Sequence, residues 1–307
     1  MEIRYEMERI GHDVISIKSY ENRNFFFKII SRIQWLNTLI VNLLIQKKIR
    51  KIKRQVDHVF MIRGVYYNST TLDSLKKQWP NAEFVLYLWD SLKKSNYRIN
   101  IKKYFDRIYS FDQKDCNKFN FLYLPMYYNP QFEVNEENKT IKYDLIFIGS
   151  EKRDRYFVLK KIQEDARRNN LSINIFLRFS YLGFFRKKVF GGKKYRMIKR
   201  NDFQFRNISL DEVVQKYQSS RCIIDIENDL QSGLTPRTYE VIALGKKIIT
   251  TNSDIKNTSF YNKNNVLVID RKNPKIEPEF INSTKVMYDK KDLYSLEKWL
   301  KEIFNHE

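Results

Sequence analysis

The chain has 307 residues, of which 42% are hydrophobic and 15% aromatic, with 8 Gly and 6 Pro. This length and composition exclude a disordered or fibrous protein and predict two α/β units of ordinary size, each with its own core. The formal net charge of +21 calls for a polyanionic partner, such as nucleic acid or an anionic membrane, or for a large solvated basic surface.

Cysteine and histidine usage gives no sign of a disulfide framework or a metal centre. Cys116 and Cys222 lie far apart and form no C-x-x-C pair, which favours a reducing cytoplasm. His12, His58 and His306 are too dispersed in sequence to indicate a metal cluster, so we predict no metal and no cofactor.

No segment of the sequence resembles a membrane anchor or an export signal. The apolar stretch Leu39–Ile45 is far shorter than the roughly 20 residues that span a bilayer. The first residues include acidic side chains and no apolar core, unlike a secretory signal. We therefore expect a cytoplasmic protein.

Helices and strands alternate through residues 1–133, which predicts a parallel sheet wrapped by helices. A helix at Tyr5–Ile10 ends at Gly11 and leads to a strand at His12–Ile17. The further elements are a helix at 25–54, a strand at 58–62, a helix at 72–78, a strand at 84–88, a short helix at 99–104, a strand at 107–110, a small helix and a strand at 121–124. A Rossmann-like domain normally opens with a strand, which is missing here, so a truncated, inactive relative is one reading.

A polar linker separates this domain from a second α/β series. Residues 128–142 contain Pro130 and an Asn/Glu-rich run, which is typical of a linker. The second domain is predicted at 142–290, followed by a terminal helix at 291–307. Its strands are predicted at 144–148, 173–177, 222–226, 247–250 and 266–269, and its helices at 155–169, 210–218 and 236–244. Because ligands bind at the carboxyl ends of parallel strands, we expect the site in a cleft between two Rossmann-like halves.

The segment around residue 236 carries the pattern of an anion-binding helix. Thr235 suits an N-cap, Pro236 the first helical position and Gly245 the helix end. The helix N-terminus attracts negative charge, and Gly233 leaves room for a ligand, so a diphosphate could bind there beside Arg237.

Glu240 follows Arg237 by nearly one helical turn. A carboxylate in this place can accept hydrogen bonds from the hydroxyls of a ribose. The alternative is an ordinary capped amphipathic helix whose arginine and glutamate face solvent.

Four stretches together resemble GT-B glycosyltransferases, and in particular the glycosyltransferase-like proteins of bacterial capsule and lipopolysaccharide gene clusters. They are Gly233–Asn252, Tyr87–Ser91, Tyr104–Asp112 and Tyr143–Ser150 with Asp154–Tyr156 after it. The likeness extends from the first helix to about Arg271. It implies two Rossmann-like domains, a nucleotide-sugar donor, a glycan or lipid-linked acceptor in capsule, lipopolysaccharide or exopolysaccharide synthesis, and transfer that requires no metal.

The resemblance also assigns roles to single residues. Glu240 matches the ribose-binding glutamate of the E-x7-E pattern, whose first glutamate is replaced by Ser232, so retention and inversion both remain open. The residues expected to meet the donor phosphates are Gly149, Ser150, Arg153 and Arg155, the arginines through bidentate hydrogen bonds. Ion pairs of these arginines with Asp154 or Glu151 are the alternative.

The acceptor hydroxyl needs a base in an inverting transfer. Asp90, at the end of a predicted strand, is the candidate; it could equally cap the following helix. A sugar-nucleotide 2-epimerase is a second possible use of the same fold, although the sequence shows no histidine-based acid–base set.

Two basic segments could contact an anionic membrane or another polyanion. They contain Lys47, Lys48, Arg50 and Lys51 in one place, and Arg186, Lys187 and Lys188 beside Phe184 and Phe185 in the other. Cations next to aromatic side chains suit the headgroup region of a bilayer, and peripheral attachment to the inner face of the membrane follows as an expectation. A solvated helix face is the alternative. A nucleic-acid-binding protein would fit the charge, but no known recognition motif is present, so no nucleic-acid partner is expected.

Overall fold

A computed structural model describes residues 2–17, 34–63, 67–92, 99–133, 140–228, 232–284 and 288–304. The chain divides into two units. The first comprises Met1–Pro125, Leu230–Gly233 and Leu300–Glu307, and the second comprises Met126–Asp229 and Leu234–Trp299. Each unit contains one parallel sheet.

The first unit has a four-stranded sheet in the order β1-β2-β3-β4. Its strands are β1 (His58–Ile62), β2 (Glu83–Leu88), β3 (Arg107–Ser110) and β4 (Leu122–Tyr123). Its helices are α1 (Glu2–Arg9), α2 (Gln34–Ile49), α3 (Ser69–Gln78) and α4 (Gln113–Phe119), with a 3-10 helix at Ile99–Tyr104. β2 is buried from Phe84 to Leu88, as expected for an apolar strand covered on both faces.

Apolar residues at helical spacing fix α2 against this sheet. Val41, Ile45 and Ile49 recur every four residues, are buried, and join the core that contains Phe84 and Leu86. Spacing of this kind places side chains on one face of a helix, so burying that face drives the packing.

Two predicted elements of the first unit differ from the structure. Residues 12–17 form no strand, because Asp13 pairs with Arg54 at the surface and Ile15 stays exposed. The long helix predicted at 25–54 runs from Gln34 to Ile49 in the described part of the chain. Residues 25–33 of the prediction lie outside that part, and residues 50–54 are not helical.

The second unit has a five-stranded sheet in the order β6-β5-β7-β8-β9. Its strands are β5 (Tyr143–Ser150), β6 (Ile173–Arg178), β7 (Ser220–Asp225), β8 (Lys247–Thr250) and β9 (Val266–Val268). Its helices are α5 (Arg155–Arg168), α6 (Tyr181–Phe190), α7 (Lys193–Arg196), α8 (Leu210–Gln218), α9 (Pro236–Ala243) and α10 (Pro278–Asn282). 3-10 helices lie at Pro130–Phe132, Arg200–Asp202, Ser253–Asn257 and Lys291–Tyr294.

The strand order of this sheet reverses at β5. The chain passes from β5 to β6 on one side and then returns to β7 on the other. The loops that leave the carboxyl ends of β5 and β7 therefore diverge, and this point is where open parallel sheets hold their ligands.

Residues 128–133, the start of the predicted linker, pack into the second unit, which begins at Met126. Tyr128 and Phe132 are 1% and 0% exposed, and the Tyr128 amide donates to the Tyr294 carbonyl. The last helix, α11 (Leu296–Phe304), belongs to the second unit through Trp299 and to the first from Leu300.

Candidate functional site

Arg237 lies at the reversal point of the second sheet and binds both strands that flank it. One guanidinium nitrogen donates to Asp225 at the end of β7 at 2.5 Å, and the other donates to the Ile148 carbonyl of β5 at 2.5 Å. Its Nε donates to the Tyr217 hydroxyl at 3.1 Å. The side chain is only 15% exposed, so Arg237 links β5 and β7 near their carboxyl ends from inside the fold.

Asp225 is the acid that organises the start of α9. Its carboxylate is 1% exposed and accepts hydrogen bonds from the hydroxyls of Thr235 at 2.6 Å and Thr238 at 3.2 Å, besides the Arg237 pair. Thr235 occupies the predicted N-cap position, but its hydroxyl turns to Asp225 and makes no cap hydrogen bond. Asp225 lies within the strand predicted at 222–226, and no predicted role was attached to it.

The charge state of Arg237 follows from these neighbours. Burial alone would lower the pKa of the guanidinium, but Tyr217, Asp225 and Glu240 outweigh it and raise the pKa above its usual range. Arg237 is therefore a permanent cation, matched by the carboxylate of Asp225.

Arg155 is a second buried arginine at the same sheet edge. It is 7% exposed, and its guanidinium donates to the carbonyls of Ser150 and Ile226, both at 2.5 Å. Its Nε is buried without a hydrogen-bond partner among the described residues. Burial, and then the charge of Arg237, lower the pKa of Arg155 to about 10, which leaves it cationic at neutral pH.

Arg271 is a third arginine at this edge. Its Nη2 lies 2.7 Å from Asp154, and its Nη1 lies 3.2 Å from Glu227 and 3.1 Å from the Glu227 carbonyl. The Thr251 hydroxyl donates to Glu227 as well. Burial raises the pKa of Glu227. No motif singled out Arg271 or Glu227, since their pairing depends on loops that are distant in sequence.

Two of the predicted phosphate-binding positions end β5. Gly149 has no room for a side chain, because a Cβ there would lie 2.8 Å from Arg237 and 2.9 Å from the Phe147 ring. Ser150 contributes its carbonyl to Arg155. The role of both residues toward a donor phosphate stays a prediction.

Arg153 is exposed and has a left-handed backbone with φ of 53°. Its carbonyl accepts hydrogen bonds from Lys187 at 2.9 Å and from the Tyr195 hydroxyl at 2.5 Å. Lys187 also pairs with the buried Glu151 at 2.7 Å. The turn that presents the Arg153 guanidinium is thus fixed by the segment that follows β6.

Glu240 lies on α9, five residues after Thr235, and is half-buried. Burial raises the pKa of the nearby Tyr217, and the negative charge of Glu240 contributes to that shift. The charge of Glu240 also acts on Arg237, so Glu240, Tyr217 and Arg237 lie near one another; the role of Glu240 toward a ribose stays a prediction.

Asp90 and Gly233 belong to the first unit. Asp90 follows β2 and pairs with Arg63 at 2.9 Å, at a position where Arg63 has φ of 69°. Arg63 is a partner that the sequence did not indicate.

The space beside Gly233 is filled by protein. A Cβ on Gly233 would lie 2.5 Å from the Phe111 ring and 2.7 Å from the Phe111 carbonyl. The preceding Ser232 donates its hydroxyl to Asp112. Gly233 is therefore required for packing on Phe111, and the approach of a ligand to its backbone stays a prediction.

The basic residues of the two segments face different surroundings. Lys47, Arg50 and Lys51 are exposed at the end of α2, and Lys48 is half-buried. Arg186 and Lys188 are exposed on α6, whereas Lys187 is engaged by Glu151.

No helix among the described residues is long and apolar enough to cross a membrane. Among the same residues, no cluster of three His, Cys, Asp or Glu could hold a metal ion.

Solved structures with the same fold cover nearly the whole chain. The UDP-GlcNAc 2-epimerase of Methanocaldococcus jannaschii, solved with UDP-GlcNAc and UDP, matches with a TM-score of 0.55 and 10% identity over 99% of this chain and 95% of its own. Anabaena Alr3699/HepE, solved with UDP and glucose, matches with a TM-score of 0.54 and 10% identity over 86% and 80%. A glycosyltransferase of Rickettsia africae ESF-5 matches with a TM-score of 0.50 and 15% identity over 98% and 86%.

These similarities confirm the predicted fold, two Rossmann-like domains of the GT-B type. The fold is shared by glycosyltransferases and UDP-GlcNAc 2-epimerases. No family model and no curated protein sequence matches the chain.

Proposed function

We propose that the protein is a glycosyltransferase that moves a sugar from a nucleotide-sugar donor to a glycan or lipid-linked acceptor. The observation that carries the proposal is Arg237, which ties β5 to β7 at the reversal point of the sheet and keeps α9 and Glu240 beside it. Ligand sites of open parallel sheets form at this point. Two proteins with the same fold were solved in complex with UDP, which supports a nucleotide donor.

The donor would lie along the carboxyl edge of the second sheet. We assign ribose hydroxyls to Glu240, because a carboxylate accepts two hydrogen bonds from neighbouring hydroxyls. The phosphates would meet the edge formed by Gly149, Ser150 and Thr235, with Arg153 as the exposed cation. Arg155 and Arg237 would shape this edge from within, since their guanidinium groups already bind carbonyls and Asp225.

Asp90 would act as the base on the acceptor hydroxyl in an inverting transfer. Its carboxylate lies 2.9 Å from Arg63, a contact that would hold the side chain in position. Charge developing on the leaving diphosphate would be stabilised by protein cations, and we propose that transfer needs no metal. The acceptor would be a growing capsule, lipopolysaccharide or exopolysaccharide chain.

The first test is a thermal-shift screen against UDP, GDP, CMP and their sugar conjugates. A ligand that binds only the folded state raises the melting temperature in proportion to the logarithm of its concentration over Kd. Glu240→Gln removes the charge that accepts the ribose hydroxyls, and we expect Kd to rise roughly 10-fold to 100-fold, from a loss of about 1.5–3 kcal/mol. Glu164→Gln, an exposed glutamate on α5, is the matched control and should bind as the unmodified chain does.

Activity assays then separate transfer from epimerisation. We expect the chain to release nucleotide diphosphate in the presence of an acceptor, and Asp90→Asn to lose this release while binding the donor normally. An epimerised nucleotide sugar formed without acceptor would reassign the protein to the 2-epimerases. A chain that melts cooperatively and is shifted by no nucleotide would overturn the proposal.

A further inference from the structure

Helix α6 has its apolar residues on the side that faces away from the second unit. Leu182, Phe185 and Val189 follow the three-and-four spacing of one helical face, and they are 60%, 64% and 47% exposed. Phe190 at the end of the helix and Met197 just beyond it are 79% and 82% exposed. Monomeric proteins rarely leave so many large apolar side chains together in water.

The opposite face of α6 fixes this orientation. Phe184 packs on Phe179 and Phe203, with ring centroids 6.2 and 5.7 Å apart, and Lys187 binds Glu151 and the Arg153 carbonyl. These contacts fix the orientation of α6. They leave the stripe formed by Leu182, Phe185 and Val189 exposed to solvent.

Cations surround the stripe. From Phe179 to Asn201 the chain contains eight Lys or Arg and no Asp or Glu. Arg186 and Lys188 flank the stripe on its two sides, and the nearby Lys193, Lys194, Arg196, Lys199 and Arg200 are all exposed. Apolar side chains ringed by cations complement a surface that is apolar below a layer of negative charge, which is the composition of an anionic lipid leaflet.

We infer that α6 docks the protein on an anionic membrane surface, with Leu182, Phe185 and Val189 entering the acyl boundary and Arg186 and Lys188 at the headgroups. Nucleic acid fits less well, because a polar polyanion would not remove the aliphatic side chains of the stripe from water. A second copy of the chain would bring like charges together around the same stripe.

The position of α6 connects this surface with the proposed donor site. The helix follows β6 at the carboxyl edge of the second sheet, and Lys187 and Tyr195 both bind the Arg153 carbonyl at the end of β5. Docking through α6 would hold that edge near the headgroups, within reach of a lipid-linked acceptor. This consequence rests on the proposed function, whereas the docking itself does not.

Vesicle flotation of the full chain, without nucleotide, tests the docking. We expect recovery with phosphatidylglycerol–phosphatidylcholine vesicles and little with pure phosphatidylcholine. The variant Phe185→Ser/Val189→Ser should weaken binding at least about tenfold, since two large apolar side chains no longer leave water. Leu293→Ser, at another side chain that is 57% exposed, should bind as the unmodified chain does. Because the changed side chains are exposed, all variants should keep the melting temperature.

The contribution of charge is tested in the same flotation assay with the variant Arg186→Gln/Lys188→Gln. The control variant is Lys256→Gln/Lys263→Gln, which changes two exposed lysines of the same unit. Each cation at the membrane is worth about fivefold in affinity, so the first variant should lose about 25-fold and the second much less. Absence of vesicle binding would overturn the inference, and so would binding that the Phe185→Ser/Val189→Ser variant leaves unchanged. Dimerisation or RNA binding abolished by these substitutions, with no vesicle binding, would assign the stripe to that partner instead. Donor binding is measured by thermal shift in solution, so failure of either proposal is visible without the other.

Discussion

Replacing Arg237 by methionine tests whether its guanidinium holds the second unit together. The substitution keeps an unbranched apolar side chain but removes the guanidinium and its three hydrogen bonds, to Asp225, the Ile148 carbonyl and the Tyr217 hydroxyl. The Asp225 carboxylate would keep only the two threonine hydroxyls. Its buried negative charge would lose its hydrogen-bonded guanidinium and keep only the longer-range interaction with Arg155.

The size of the effect follows from the burial of this pair. The side chains of Arg237 and Asp225 are 15% and 2% exposed, and removal of one partner from a buried pair costs about 3–5 kcal/mol. In a unit of this size, 1 kcal/mol corresponds to about 2–4 °C. We therefore expect Arg237→Met to melt roughly 6–20 °C below the unmodified chain.

The assay is thermal unfolding in the absence of ligand, and it includes two further variants for comparison. Arg206→Met removes an arginine that pairs with Glu212 at 2.6 Å but is 56% exposed, and it should leave the melting temperature nearly unchanged because solvent screens an exposed pair. Asp225→Asn combined with Arg237→Met removes both charges, so its loss should be smaller than the sum of the two single losses by about 1–3 kcal/mol. An Arg237→Met variant that melts within about 2 °C of the unmodified chain and no longer binds nucleotide would refute the structural role.

Two further predictions concern the first unit. Gly233→Ala should destabilise it by about 1–3 kcal/mol, because the new Cβ would meet the Phe111 ring at 2.5 Å; an unchanged urea midpoint would mean that this segment does not pack there in solution. Glu83 hydrogen-bonds to Arg107, which lowers its pKa, so its carboxylate stabilises the fold above the ordinary glutamate pKa, and this stabilisation is lost as the pH falls through the lowered value. Glu83→Gln should therefore flatten the acid limb of the stability curve in a urea titration at several pH values, and an acid limb as steep as that of the unmodified chain would contradict this assignment.

Apolar runs located the strands that are largely buried. β2, β3 and β8 lie within a residue of their predicted positions. A short apolar run flanked by polar residues is typical of a strand buried in a parallel sheet, and the polar residues mark its ends. The strand predicted at 12–17 was wrong for the converse reason. Its short apolar alternation fits a strand, but Ile15 finds no neighbouring strand to cover it.

The candidate site was predictable in outline but not in its contacts. The helix start at Thr235 and Pro236 could be read from local capping rules, and the structure has both residues in those positions. The partners of Arg237 come from residues 148, 217 and 225. No local pattern brings these together; only the order of the strands does.

Those contacts change which residues should be tested for donor binding. The sequence grouped Arg155 and Arg237 with Arg153 as phosphate ligands, yet the guanidinium groups of the first two bind protein oxygens inside the fold. Their substitution would lower stability and donor binding together, and a lost thermal shift would then say little about contact with the ligand. Arg153 is exposed and Glu240 half-buried, so substitutions at these two positions can change affinity while the fold persists. A loss of affinity in Glu240→Gln at an unchanged melting temperature would therefore identify the donor site more directly than any substitution of the buried arginines.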